Sequence, residues 1–226
     1  MIRSTSLCLT LILVAACSNA PAPVAAPEPP LPMSEEAPST VIGSWHWLGT
    51  VGSAPVSALE PARYAVEFQD SGSALIQADC NRGRSDYGVD PAGAALFGPI
   101  GLTKMGCAAD SQDRQFLAQL RAARTAISAK HWLRMSLADG ESHAVFARDP
   151  QARLRHYRCT AGQRYALAMA PAGALLWIDG EFHALALSKG EPVGNYRGGR
   201  FEVRVGEAAT TLLIDGKALT GCQQLD

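Results

Sequence analysis

The chain is short of charge in either sense. It carries 20 Lys and Arg against 21 Asp and Glu, for a formal net charge of −1. Neither a basic stripe that could neutralise phosphates nor an acidic tail is present, which argues against nucleic acid as a partner. Catalytic signatures are also missing. There is no Gly-x-Ser-x-Gly elbow, no phosphate-cradling glycine loop and no P-loop lysine. The histidines His46, His131, His143, His156 and His183 fall on separate expected elements. No i, i+4 pair and no cysteine at zinc-ligand spacing accompanies them, so neither a metal site nor a cofactor is expected. Two acidic pairs, Asp79 with Asp86 and Glu202 with Glu207, read as solvated loop or strand faces rather than acid–base pairs. No catalytic residue is assigned and an enzyme is not expected.

What is present begins with location. Arg3 precedes an apolar run from Leu7 to Ala16 that is broken only by Cys8 and Thr10. That run is too short to span a bilayer and fits a cleaved signal segment. The small residues Val14, Ala15 and Ala16 directly before Cys17 resemble a bacterial lipoprotein processing site, which implies a lipidated Cys17. The other reading is an ordinary secretory signal cleaved near Ala20. Two or three acyl chains, at about 0.8 kcal/mol per buried methylene, anchor a protein stably. In the sorting pattern of such lipoproteins, Ser18 in place of Asp implies the outer membrane, with the protein facing the periplasm and bound to the membrane through its N-terminal lipid. From Asn19 to Pro38 the chain holds half of its 14 prolines. This is a polyproline-like spacer reaching roughly 60 Å at about 3.1 Å per residue.

Removing Cys8 with the signal and lipidating Cys17 leaves Cys80, Cys107, Cys159 and Cys222 in an oxidising compartment. Four cysteines allow three connectivities. A domain boundary near Pro150 favours Cys80 with Cys107 and Cys159 with Cys222, each ring contributing about 3.5 to 4.5 kcal/mol. Arg82 and Arg84 beside Cys80 would suit a reactive thiolate, but a structural disulfide is the expectation.

The rest of the pattern is mostly strand. Tyr64 to Phe68 and Ala74 to Ile76 flank the turn Asp70-Ser71-Gly72, and Leu96-Phe97 reads as a strand end. One helix is expected, capped by Asp110 or Ser111, with Phe116, Leu117, Leu120 and Ala123 on one face up to about Arg124. Trp132 to Leu137 and His143 to Phe146 form a hairpin across Asp139-Gly140. Past Pro150, Tyr157 to Cys159 and Gln163 to Met169 are joined through Ala161-Gly162, and Asp179-Gly180 and Asp215-Gly216 turn two further hairpins. Short strands with turns every 8 to 12 residues suggest a small barrel.

Three stretches carry a resemblance for the first unit: Asp79-Cys80-Asn81-Arg82-Gly83, Phe97-Gly98-Pro99-Ile100 and Thr103-Lys104-Met105-Gly106-Cys107. Over about residues 43 to 149 they resemble the META domain, the HslJ-like family of bacterial envelope proteins associated with heat shock and antibiotic tolerance. Asp79 departs from that pattern, which often has Gly there.

About residues 154 to 223 resemble the MliC family, membrane-bound inhibitors of c-type lysozyme. Tyr157-x-Cys159, Gly162, Ala174 to Leu176, Gly180, Leu185, Tyr196, the Gly206 to Ala209 step and Gly221-Cys222 carry the likeness. It implies an antiparallel barrel closed by a disulfide, which inserts a loop Ser and a Lys into an acidic cleft. This chain has Pro192-Val193 where the Ser-Gly would stand before Tyr196, and Val205 where the Lys would precede Gly206. The candidate inhibitory loop is therefore taken as Ser188, Lys189, Tyr196, Arg200 and Arg204, with Arg197 nearby.

The expectation is a mainly β protein with one helix: a META-like α+β, β-rich domain and a small antiparallel β-barrel, each with one disulfide. Residues 1–16 are read as signal, 17–40 as lipidated cysteine and Pro-rich linker, 41–150 as META and 151–226 as MliC-like barrel. Two functional readings follow. One is an outer-membrane protein-binding lipoprotein whose partner is c-type lysozyme or another muramidase. The other is a structural or envelope-stress lipoprotein without lysozyme inhibition.

Overall fold

The computed structural model describes residues 41–88, 96–188, 194–206 and 209–225. The signal and linker readings, Cys17, Lys189, Pro192, Val193 and Glu207 lie outside the described residues. Glu36–Asp226 form one compact unit, built on two antiparallel sheets.

The first sheet contains β1 (Gly43–Val51), β2 (Val56–Ser57), β3 (Tyr64–Phe68), β4 (Ser73–Ala78), β5 (Asn81–Asp86), β6 (Gly101–Leu102), β7 (Ala123–Ala129), β8 (Trp132–Leu137) and β9 (His143–Ala147). Their order is β6-β5-β4-β3-β1-β9-β8-β7, with β2 on β1. Helix α1 (Asp113–Ala122) covers one face, burying Phe116, Leu117 and Leu120. Phe116 meets Trp47 and Tyr64 with ring centroids 5.6 and 5.7 Å apart. This apolar stripe holds the helix through tertiary packing.

The helix cap differs from the sequence expectation. Gln112 is the N-cap, and its backbone N–H donates to the Tyr64 hydroxyl at 2.7 Å. Its side chain bridges Ser57 O and Leu59 N. Asp110 is drawn away by Arg63, while Ser111 Oγ accepts from Asp113 N and also hydrogen-bonds the Asp79 carboxylate. Leu96 and Phe97 are buried but form no strand; Phe97 makes a single bridge to Tyr87. Strand β7 begins where α1 ends, although its sequence alternates too weakly to announce it.

The second sheet contains β10 (Arg153–Arg158), β11 (Arg164–Ala170), β12 (Gly173–Ile178), β13 (Glu181–Leu187), β14 (Asn195–Gly198), β15 (Phe201–Val205), β16 (Thr210–Ile214), β17 (Lys217–Ala218) and β18 (Gln223–Leu225). The order is β17-β16-β15-β14-β13-β12-β11-β10-β18. It curls into a half-barrel around Tyr157, Tyr165, Leu167, Leu176, Val203 and Leu212. Two hairpins turn on Asp179-Gly180 and Asp215-Gly216, where both residues have positive φ, the backbone that a two-residue Asp-Gly loop supplies at low strain.

Disulfides join Cys80 to Cys107 and Cys159 to Cys222, 27 and 63 residues apart. Each sheet has its own staple.

A third apolar layer lies between the sheets. Leu48, Val51, Trp132, Val145 and Ala147 of the first pack with Ala152, Leu154, Ala166, Ala168, Ala170 and Leu175. Strand β1 supplies both cores by the alternation of its side chains, and its register shift between Trp47 and Gly49 lets Val51 join Leu48 on the second-sheet side. Trp47 faces the helix side and Leu48 the second sheet. Such a bulge re-aims side chains without ending the strand.

Candidate functional site

The cysteine turn is organised by Asn81, which is 3% exposed at the start of β5. Its Nδ2 donates to Met105 O at 3.2 Å, while Oδ1 accepts from Met105 N at 2.8 Å and Thr103 Oγ1 at 3.1 Å. The side-chain amide thus pairs with both backbone groups of Met105, as a neighbouring strand would. Nδ2 also lies 3.2 Å from Cys107 Sγ. Thr103 Oγ1 in turn accepts from Arg82 N at 3.0 Å. Gly83 lets β6 approach, because a Cβ there would stand 2.5 Å from Gly101 O. Each residue of the Cys-Asn and Thr-x-Met-x-Cys stretches that was singled out in the sequence therefore closes this turn. Both sulfurs are consumed in the disulfide, leaving no thiolate for Arg82 or Arg84 to activate.

Asp79 takes the left-handed conformation, φ 57°, which explains the Gly that often stands there. Asp tolerates that backbone better than most residues, and here its carboxylate has a second task. Arg63 grips it through Nε to Oδ1 at 2.8 Å and Nη2 to Oδ2 at 2.6 Å. The same guanidinium reaches Asp110 at 3.0 Å. Arg63 holds both carboxyls below their usual range. This is a two-point clamp on the turn, and Asp79 is not positioned with Asp86 for acid–base chemistry.

On the second sheet, the candidate loop divides. Tyr196 is buried in the half-barrel core, where desolvation raises its pKa. Ser188 N donates to Asn195 O at 2.8 Å, and its Oγ is buried without a hydrogen-bond partner among the described residues. Arg204 is ion-paired to Glu202, and Arg197 reaches the same carboxylate at 3.3 Å. Arg204 first, then Arg197, lowers the Glu202 pKa. Arg200 pairs with Asp215 at 3.0 Å. The exposed arginines of β14 and β15 and the turn between them face acids of their own sheet. Ser188 and Arg204 lie on either side of Asn195, the first through its backbone hydrogen bond and the second as its strand partner, whereas Arg200 sits in the turn at the other end of β14 and β15.

Sequence reading missed the chemistry between the sheets. His143 packs edge-on against Phe182 at 5.3 Å, and Arg134 lies over the same ring at 5.1 Å. Burial lowers the pKa of His46, His143 and His156. The available signal was weak, consisting of a histidine inside otherwise apolar strand runs.

Together these features define a β-rich protein of two disulfide-stapled antiparallel sheets with a single α-helix among the described residues. Its first part is more specific: a META domain is found at residues 40–150. Among solved structures, a DUF4847 family protein from Bacteroides vulgatus is similar over 48% of this chain and 94% of its own. At 14% identity and a TM-score of 0.37 this likeness carries no argument. No curated protein matches the chain.

Proposed function

We infer that the chain is an outer-membrane lipoprotein, anchored through Cys17 and facing the periplasm, which serves as a non-enzymatic structural or envelope-stress module. The carrying observation is the ion pairing of the rim. A plug for an acidic catalytic cleft needs free cationic donors, because desolvating a charge already paired elsewhere offsets the gain. Arg197, Arg200 and Arg204 are engaged with Glu202 and Asp215. The MliC-like resemblance of residues 151–226 is accordingly taken as one of scaffold, with protein binding in the envelope retained and lysozyme inhibition not.

The test is cell-wall lysis by a c-type lysozyme, with and without the purified protein at micromolar concentration in low salt, where an electrostatic plug is strongest. Unchanged lysis is expected. Slowing of lysis that Lys189→Ala or Arg204→Ala relieves would overturn the reading. The anchor is tested separately: Cys17→Ala moves the protein from the membrane to the soluble fraction, and continued membrane association without acylation would refute lipidation.

A further inference from the structure

A cavity of about 350 Å³ opens where the first sheet meets the second, within the size range of small-molecule sites. Gly52 and Pro55, from the turn between β1 and β2, form one wall. Strands β10, β11 and β12 form the other.

The register of those strands sets up a row. His156 stands opposite Ala166, and Ala166 opposite Trp177. All three face the first sheet, so the imidazole and the indole flank a small residue across two strand spacings, ~10 Å. His156 is 8% exposed, and its Nε2 has no hydrogen-bond partner among the described residues. Trp177 Nε1 is buried and equally unpartnered. Both residues line the cavity. Buried polar groups are normally satisfied, so two orphans beside one cavity mark a place where a ligand supplies the missing partners. Burial holds the imidazole in its neutral form, partly offset by contact with the Val56 backbone.

One step further along the same face, Arg158 stands directly opposite Arg164. Both are exposed, both line the cavity, and neither makes an ion pair with a described residue. Like charges directly opposed across antiparallel strands are destabilising, and an anion between them would relieve that repulsion. Asp179 is the single acidic side chain in the lining, so the mouth is net positive.

We propose that this cavity binds a small anionic, hydroxyl-bearing molecule of the sugar-acid or sugar-phosphate kind. Its carboxylate or phosphate takes the Arg158 and Arg164 guanidiniums, and its hydroxyls reach His156 Nε2 and Trp177 Nε1 as the two rings turn toward it, since both nitrogens are closed to water in the unliganded structure. A hydroxyl suits both orphans, since it accepts from the indole N–H and can donate to or accept from a neutral imidazole. Planar guanidiniums suit either anion by bidentate contact. The proposal is independent of the rim reading above.

The experiment is calorimetric and tryptophan-fluorescence titration of the full chain with glucuronate, glucose 6-phosphate, glucose and inorganic phosphate. One or both of the acidic sugars are expected to bind saturably by millimolar concentration and to weaken with added salt, with glucose and phosphate binding at least tenfold less tightly. Arg158→Ala and Arg164→Ala, both exposed and compatible with folding, each weaken binding about tenfold, as loss of a charged hydrogen bond does. Trp177→Phe keeps the ring and removes the donor, with a similar loss expected. Absence of saturable binding by both acidic sugars overturns the proposal. So does binding that survives the Arg158→Ala/Arg164→Ala double variant, or inorganic phosphate binding as tightly as the sugar phosphate.

Discussion

Replacing Asn81 by Ala tests whether the cysteine turn is held by one side chain or by the disulfide alone. The amide makes three hydrogen bonds to N or O atoms, two with Met105 and one with Thr103. At about 1 kcal/mol net for each, the loss is about 3 kcal/mol. Met105 is 62% exposed, so its freed backbone groups regain water and no further large penalty is added. For a unit of this size about 3 kcal/mol corresponds to a fall in Tm of roughly 6 to 12 °C. The assay is thermal unfolding by circular dichroism, beside urea unfolding with the Cys80–Cys107 bond intact in both proteins. Thr103→Val, which removes one of the three bonds, should lower stability by about 1 kcal/mol. Asn81→Asp keeps the acceptor but sets a buried carboxylate oxygen against Met105 O, and should destabilise at least as much as Asn81→Ala. A change in Tm under about 2 °C for Asn81→Ala, well below the expected range, would refute the reasoning and leave the disulfide as the sole organiser.

Three other outcomes are expected. The Asp139 carboxyl is lowered to about 2 by the Ser142 hydroxyl and by the Ser142 and Glu141 backbone N–H groups; its contribution is complete above an unfolded value near 3.8 and lost as pH falls towards about 2. Asp139→Asn should flatten the acid limb of a Tm-against-pH curve, and an unchanged limb would contradict this. His46, His143 and His156 are held neutral by burial, so their contribution is present above an unfolded value near 6.5 and declines below it; urea midpoints on either side of that pH should differ, and less so in His156→Gln. Gly221 has φ 61°, and a Cβ there would collide with Thr160 Oγ1; Gly221→Ala should lower Tm and make the Cys159–Cys222 bond easier to reduce, as followed by thiol titration.

Sequence could show the elements whose signals are local. The Asp-Gly turns needed only adjacent residues with the right backbone freedom, and Phe116, Leu117 and Leu120 repeat at helical spacing. The cysteine pairing followed from placing a boundary near Pro150. The Arg63 clamp was out of reach because it joins residues 16 and 47 apart. Strand β11 illustrates a different limit. Tyr165, Ala166, Leu167 and Ala168 are a continuous apolar run, buried on both faces. Periodicity cannot say what covers the second face of such a run. The orphan pair His156 and Trp177 was hidden for the same reason, since its site exists only once the first sheet is laid against the second.

The apolar layer between the sheets bears on how such a chain can be edited. If Leu48, Val51, Val145 and Ala147 were each solvent-facing, residues 41–150 could be excised, duplicated or moved to another host sequence as a free-standing cassette. Instead that face is finished only by Ala152, Leu154, Ala166 and Leu175. Cutting after Pro150 would uncover a contiguous greasy surface on both pieces, the kind that drives aggregation. Each half is therefore the lid of the other, and neither is expected to behave as a free-standing cassette.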